Sequence, residues 1–390
     1  MKPFNEKILY IYKFIGQCMP IYAFYAILFM ERGRSVTDVA MLVALWSAFA
    51  IVFEMPAGVL ADRWNRRNML AIGAALQGLC FIIWFFAHSF FMFALGFIFW
   101  ALAGAFTSGT EESLIYDNLK SDGRTEDFTK VYGKAQFYAN IGTIAGILPA
   151  GFLALWLGID VLALISAAIC FANIFFALQI REKNHYGGKE GTQQEGALAT
   201  FKKARVFIKG SGIATTAVLF MVVFINISGY LDEFDALIIH DFGLNHLWVT
   251  AIFVIRFGFT ALGDILAPIL QKRVVSLKPI FILGGVSYIV LAAFAALWHP
   301  FALPIFGLGM MVMAIGEILL MSVLQNEIKE AGRATVTSFV SVGQNIGMIC
   351  FSVVFALLTG IFTLQQVYLM IAVYGVVGGL GFYLVSKIRA

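Results

Sequence analysis

A short list of charged side chains interrupts the long apolar runs of this chain: Glu54, Glu111, Glu112, Asp232, Glu233, Asp235, Arg256, Asp264 and Glu317. Charge inside an apolar run carries a free-energy cost, so it is expected where it handles ions, protons or solute, or where it is paired. Glu111 and Glu317 have no basic residue within one helical turn. Desolvated carboxyls of that kind bind and release protons, and both are read as proton-coupling residues. A structural hydrogen bond to a neighbouring helix is the plainer alternative for each. Asp232 and Asp235 share one helical face and are proton-coupling candidates too. With Glu233 they lie at about the depth of Arg256 in the following run, which predicts an ion pair, or a substrate contact, between Arg256 and one of the three. The alternative is a cluster that reaches water while Arg256 pairs elsewhere. Asn226, Ser228 and Gly229 loosen the run just before this cluster, and Gln17, Asn140, Asn226, Gln344 and Asn345 are further polar candidates for lining a cavity.

The elements that carry these residues follow from composition. Hydrophobic residues make up 61% of the 390 residues and charged residues 13%. A soluble domain has a charged share of about 25%, so this chain holds more apolar surface than a soluble core can hide. Runs of roughly 20 apolar residues predict twelve spans, near 8–30, 39–61, 69–87, 91–116, 134–157, 160–181, 211–240, 247–268, 279–298, 301–325, 335–359 and 361–385. The expected fold is an all-α polytopic membrane protein. All but Arg32, Arg34 and Arg256 of the 27 Lys and Arg fall on one side of that topology, which places both termini in the cytoplasm.

The long loop from Glu182 to Gly210 divides the spans into two six-helix bundles, 1–181 and 211–390, joined by a cytoplasmic linker, 182–210. The first part of the linker is rich in Gly, Gln and charge and reads as flexible. In the second part Leu198, Phe201, Ala204 and Ile208 share a face, with Lys202, Lys203, Arg205 and Lys209 around the rest. That pattern predicts a short amphipathic helix on the inner membrane surface, or else a plain basic tether. The net charge of +4 is spread over loops rather than along one stripe, which excludes a nucleic-acid partner. Cys18, Cys80, Cys170 and Cys350 lie inside spans and lack metal or disulfide spacing. The histidines make no zinc-ligand pattern and no phosphate-binding G-x-x-x-x-G-K-[ST] occurs, so no metal, no cofactor, no ATP and no enzymatic chemistry are expected.

Between the second and third spans stands Gly58-Val59-Leu60-Ala61-Asp62-Arg63-Trp64-Asn65-Arg66-Arg67-Asn68-Met69-Leu70. So short a loop must turn tightly, and Asp62 can cap a helix end or pair with the arginines. The stretch resembles the signature loop of the major facilitator superfamily, G-x-L-A-D-R-x-G-R-K-x-x-L. Asn65 replaces the family's glycine, and Asn is the next best residue at left-handed backbone angles. Glu54, Gly58 and Asp62 follow one another at helical spacing on one face, so Glu54 joins Gly58, Asp62, Arg63, Arg66 and Arg67 in the expected gate. Asp117, just past the fourth span, is the expected partner of Arg66 or Arg67. One register carries Leu60-Ala61 onto Leu266-Ala267, Asn65-Arg66-Arg67 onto Gln271-Lys272-Arg273 and Glu111 onto Glu317, so the halves read as repeats.

In the fifth span Gly142, Gly146, Pro149 and Gly151 partly resemble the antiporter motif of the drug:proton branch, G-x-x-x-G-P-x-x-G-G, with the proline displaced and the final pair broken. Trp100 stands where many drug exporters carry an arginine, and Arg333-Ala334-Thr335 resembles a recurring loop motif of the family. The resemblance covers essentially the whole chain. It implies the twelve-helix major facilitator fold and a secondary transporter working by alternating access, acting as a monomer in a bacterial-type inner membrane. Its expected partners are a small-molecule substrate, protons as coupling ion, and membrane lipid. Proton-coupled export of small organic compounds is the leading expectation. Transport of a polar solute or a metal chelate such as a siderophore is the alternative, and a non-transporting membrane receptor the third.

Overall fold

The computed structural model describes residues 4–107, 110–124, 127–182, 212–225, 227–271, 276–327 and 333–388. Among the described residues, 12 helical stretches are long and apolar enough to cross a membrane: Glu6–Glu31, Val36–Glu54, Arg66–Phe86, Phe90–Thr107, Val131–Leu157, Ile159–Gln179, Gly212–Asp232, His246–Gln271, Leu277–Leu297, Pro300–Met321, Val342–Thr359 and Leu364–Leu384. The chain is therefore an all-helical, twelve-span membrane protein. The expected surface helix of the linker, the Lys272-Arg273 copy of the loop arginines, and Asn226 lie outside the described residues.

Two compact units divide the chain: Met1–Gln193 with Asn245–Thr250, and Gln194–Leu244 with Ala251–Ala390. In the first unit the helices are α1 (Glu6–Gln17), α2 (Tyr25–Glu31), α3 (Val36–Arg63), α4 (Arg66–Phe86), α5 (Phe90–Thr107), α6 (Thr110–Ser121), α7 (Phe128–Leu157) and α8 (Ile159–Gln179). In the second they are α9 (Gly212–Phe220), α10 (Ile227–Asp232), α11 (Asp235–Asp241), α12 (His246–Gln271, its first turn in the other unit), α13 (Leu277–Leu297), α14 (Leu303–Glu327), α15 (Arg333–Thr359) and α16 (Leu364–Ile388).

The first span is a broken helix. Proline has no N–H to continue a helical ladder, and Pro20 opens a 3-10 turn, Pro20–Ala23, between α1 and α2. Backbone groups freed by such a break must find partners within the protein, because lipid offers none. The Ile21 N–H donates to Ser166 Oγ of α8 at 3.1 Å. The break is also held from α7. A Cβ added at Gly142 would stand 2.1 Å from the Phe14 carbonyl oxygen, and one at Gly146 would stand 2.7 Å from the Met19 nitrogen. Only glycine lets the two backbones approach this closely. The fifth-span glycines that resemble an antiporter motif thus have a packing role against the kinked first span. At the other end of α4, Arg32 donates to the carbonyls of Trp84 (2.7 Å) and Ala87 (2.6 Å) and pairs with Asp160 at the start of α8. Arg32 therefore caps one helix and bridges to the N-terminus of another, both favourable for a cation and an anion at those ends.

The sequence reading expects one helix over 211–240, and the structure breaks it twice. A π turn, Met221–Ile225, follows α9, and the chain bends again between α10 and α11. A π turn disturbs the regular carbonyl ladder, and two tyrosines repair it. Tyr288 donates its hydroxyl to the Phe224 carbonyl at 2.5 Å and Tyr374 to the Val223 carbonyl at 3.3 Å. Gly375 and Gly378 of α16 make room, since an added Cβ would stand 2.0 Å from the Tyr288 ring and 1.9 Å from the Phe224 ring.

The two broken spans end alike. Phe24 (φ −118°, ψ −8°) precedes α2, and Phe234 (φ −114°, ψ −4°) precedes α11. Both helices run seven residues and are followed by glycines with positive φ, Gly33 at 79° and Gly243 at 66°. One register maps each of these features onto its counterpart, and it is slightly longer than the register relating Glu111 to Glu317. The internal repeat is thus local in phase, with small length differences between elements.

Gly142→Ala is expected to lower the melting temperature and folded yield of the purified protein, because its methyl group collides with rigid backbone; overpacking of this kind costs about 1–3 kcal/mol. Gly133→Ala on the same helix, with nothing within 4 Å of the added carbon, is the matched control and should melt like the unaltered chain. Equal melting of both variants would show that the α1–α7 approach is loose.

Candidate functional site

The bend between α10 and α11 places Asp232 at the end of one short helix and Asp235 in the first turn of the next. Arg256 of α12 reaches both. Its Nη1 lies 2.6 Å from Asp235 Oδ2, and its Nε lies 3.2 Å from Asp232 Oδ1. The ion pair expected from the sequence is therefore a triad of one guanidinium and two carboxylates. Glu233, between the two acids in sequence, is half-buried beside them. The triad is deeply enclosed: the Asp235 side chain is 0% exposed, that of Arg256 6% and that of Asp232 16%. The Phe306 ring stands 5.9 Å from the guanidinium carbon, a cation–π distance. Phe294, Trp298 and Tyr368 extend this wall through ring contacts of 5.2–5.5 Å. In this structure the guanidinium is engaged by protein groups.

A second buried pair lies in the first unit. Lys13 Nζ of α1 sits 2.9 Å from Glu111 Oε1 and 3.0 Å from Oε2. This corrects the expectation that Glu111 lacks a basic partner. The sequence reading counts Lys13 with the loop charges, whereas the structure buries it to 9% exposure in the first span. The partner comes from a helix far away in sequence, so inspecting one helical turn misses it. A lysine inside the apolar run that starts at Ile8 was the available signal.

Glu317 of α14 is half-buried. Among the described residues no basic side chain pairs with it, while the exposed Asp264 of α12 lies close enough for its charge to act on Glu317. Gln17 and Asn140 are exposed, and Gln344 and Asn345 are half-buried on α15; Tyr230 donates its hydroxyl to the Gln344 carbonyl at 2.8 Å. The side chains of Glu112 and Ser228 lie outside the described residues. Trp100 packs among Tyr25, Phe81, Trp84 and Phe97, at ring distances of 5.3–6.1 Å. No group of three or more His, Cys, Asp and Glu among the described residues is placed to hold a metal ion. The cysteines are free, and Cys350, which lies within the eleventh span as expected, is exposed rather than a buried packing residue.

At the signature loop, α3 ends at Arg63, Trp64 is extended and α4 begins at Arg66. Arg66 pairs with Asp117 of α6 while remaining 7% exposed. Asn65 corrects an expectation: its φ of −65° and ψ of 119° are extended, so the turn requires no left-handed residue there. Its side chain does not cap α4 either. That role falls to Glu182, whose Oε1 and Oε2 accept the amide protons of Arg66 (3.1 Å) and Arg67 (3.4 Å). An acid at a helix N-terminus is favoured by the exposed amides and the helix dipole. Glu182 stands at the start of the linker, where the sequence offers no hint of this role. Nearby, Arg124 pairs with Glu6 (2.9 Å) and Asp127 (2.7 Å), hydrogen bonds that raise its pKa above the usual arginine value, Asp127's the larger. Glu54 is half-buried on α3. The side chains of Gly58, Asp62 and Arg63 lie outside the described residues.

Residues 10–349 match the sequence profile of the Major Facilitator Superfamily. The chain is 21% identical over 383 residues to the uncharacterized MFS-type transporter YxaM of Bacillus subtilis (strain 168), covering 96% of this chain and 93% of that one. Among solved structures, it is similar in fold to a point mutant of the nucleoside transporter NupG, with a TM-score of 0.80, 18% identity and coverage of 97% and 98%. It is also similar to a D-xylose-proton symporter, with a TM-score of 0.70, 14% identity and coverage of 97% and 95%.

Arg256→Ala should sharply lower folded yield, because it strands two buried carboxylates; breaking such a pair costs on the order of 3–5 kcal/mol. Arg256→Ala combined with Asp235→Ala should recover part of that loss, more than the combination with Asp232→Ala does. Normal yield and melting of Arg256→Ala alone would show that the triad carries no structural energy.

Proposed function

Because this chain belongs to the major facilitator superfamily and crosses the membrane as twelve helices, we propose that it is a proton-coupled secondary transporter of small organic compounds, working by alternating access. The observation that carries the proton assignment is the triad at the bend of the seventh span. One guanidinium set against two carboxylates leaves an excess negative charge in an enclosed site, and uptake of one proton relieves it. The proton belongs to the carboxylate pair as a unit rather than to one oxygen. The Lys13–Glu111 pair is balanced by comparison, with no net charge for a proton to cancel. Glu317, without a described basic partner, is the second proton-coupling candidate.

A proton that neutralises the triad also loosens the hold of Arg256 on one of the two short helices. The bend between α10 and α11 is where such a change becomes movement of the span, because no continuous helical ladder stiffens it. Around the signature loop, the Arg66–Asp117 pair and the Glu182 cap supply contacts suited to the gate proposed for Gly58, Asp62, Arg63, Arg66, Arg67 and Glu54.

Export is the direction we propose, on the partial resemblance of the fifth-span glycines to the antiporter motif of the drug:proton branch. Uptake of a hydroxylated solute is the second reading; it is favoured by the names of the nucleoside transporter and the D-xylose-proton symporter, whose likeness to this chain is one of fold. The arginine and lysine distribution supports cytoplasmic termini, the Bacillus relative supports a bacterial-type inner membrane, and a single chain suffices for the mechanism.

Proteoliposomes with an imposed pH gradient and an internal pH dye test this reading against a panel of lipophilic, nucleoside and sugar compounds. At least one compound should dissipate the gradient in the unaltered chain. Asp232→Asn, which spares the closer Asp235–Arg256 contact, should abolish gradient-driven movement while retaining substrate exchange at equal pH. Full gradient-driven transport by Asp232→Asn would remove the triad from coupling, and Glu317→Gln then becomes the decisive variant.

A further inference from the structure

The second unit contains a cavity of about 590 Å³ between the seventh, eleventh and twelfth spans. We infer that this cavity binds a neutral, lipophilic small molecule, the substrate class of the transporter, an inference that rests on the proposed transport function. The volume falls within the roughly 300–1,000 Å³ typical of small-molecule sites. Its walls carry four aromatic rings, Tyr230, Phe351, Phe355 and Tyr374, set among aliphatic side chains, and no charged residue. Phe351 lies 5.5 Å from Tyr230 and 5.8 Å from Phe355, ring to ring, so three of these rings form a connected surface.

The polar groups of the walls are already engaged. Tyr230 gives its hydroxyl proton to the Gln344 carbonyl and Tyr374 gives its own to the Val223 carbonyl. Each hydroxyl has one proton to donate, so neither offers a donor to a ligand without breaking a contact that the span needs. A charged ligand would meet no counter-ion, and a sugar or nucleoside would bury several hydroxyls against carbon. A neutral hydrophobe loses nothing by entering. Ile346, Cys350, Val354 and Met370 are exposed apolar or thiol side chains on membrane-spanning helices, and they give such a ligand an apolar way in.

The cavity also touches the interrupted part of the seventh span. Val222 and Val223 belong both to its wall and to the π turn. An occupant therefore bears on the turn whose carbonyls the tyrosines hold, on the same span that carries Asp232 and Asp235. Ligand and proton then act on one discontinuous helix, a simple route for coupling them.

The test uses the full chain in lipid nanodiscs with N-phenyl-1-naphthylamine, a neutral dye that fluoresces in apolar surroundings. Saturable binding is expected at equal pH on both sides, and millimolar uridine or xylose should not displace it. Cys350→Trp and Val354→Trp, which fill the cavity, should each weaken binding by roughly tenfold or more, about 1.4 kcal/mol. Val373→Trp, an exposed site on the twelfth span outside the cavity, should leave binding unchanged. A readout that needs no bulky variant is alkylation of Cys350 by N-ethylmaleimide in a Cys18→Ser background, which saturating dye should slow severalfold. Unaltered affinity in folded Cys350→Trp and Val354→Trp, or an alkylation rate indifferent to dye, overturns the assignment. Dye binding lost in these variants while gradient-driven transport persists also overturns it, and leaves the transport reading standing. Cavity-dependent binding in a chain that moves no compound supports the cavity and faults the transport reading.

Discussion

A guanidinium buried in a membrane-spanning bundle must be matched by negative charge nearby, and Arg256 imposes that requirement on the second unit. Its Nη1 and Nε point to different carboxylates, on the two sides of a bend in the backbone. A continuous helix would carry Asp232 and Asp235 along one rigid ladder. The bend instead lets each short helix present its own acid to one donor. The aromatic wall of Phe306, Trp298 and Tyr368 packs beside the arrangement, and low polarity of this kind strengthens the charge interactions within it. The same interrupted span also carries the π turn, which Tyr288 and Tyr374 reach from the ninth and twelfth spans, and part of the cavity wall.

The first unit meets the lipid constraint in a related way. Its first span is also interrupted, and the interruption survives because Ser166 takes the freed amide of Ile21 while Gly142 and Gly146 bring a whole backbone alongside. Interrupted spans are tolerated in membranes where neighbouring helices satisfy the exposed backbone. The matching dihedrals at Phe24 and Phe234 and the positive-φ glycines at Gly33 and Gly243 show the same local device built into both halves. What differs is the charge. The first-unit pair, Lys13–Glu111, sets one cation against one anion, whereas the second-unit triad sets one guanidinium against two carboxylates. This asymmetry in charge is the ground on which the proton-coupling proposal rests.

At the loop ends, charge holds helices together without being buried as deeply. Glu182 caps α4, Arg66 bridges to α6 through Asp117, and Arg124 gathers Glu6 and Asp127. Exposed pairs of the last kind contribute little individually. The Arg66–Asp117 pair is more enclosed and therefore better suited to resist or release a movement of the loop.

The twelve spans, the superfamily loop and the pairing of Arg256 with the seventh-span acids were legible in the sequence, because hydrocarbon permits so few arrangements of apolar runs and charges. Spans are read from length, and an isolated intramembrane arginine announces that a partner exists. The identity of pairs formed across distant helices was not legible. Glu111 looked free because Lys13 is near it only after folding, and Asn65 looked like a stand-in for a left-handed glycine until the backbone showed an extended turn capped by Glu182. A loosening of the seventh span was legible in Asn226, Ser228 and Gly229, whereas hydropathy registers neither the π turn nor the break in the first span, where the residues on either side remain apolar. Those breaks depend on whether another helix supplies a hydroxyl, a bare glycine surface or a carboxylate at the right height. Such complementarity is a property of packed neighbours, so tertiary structure alone decided it.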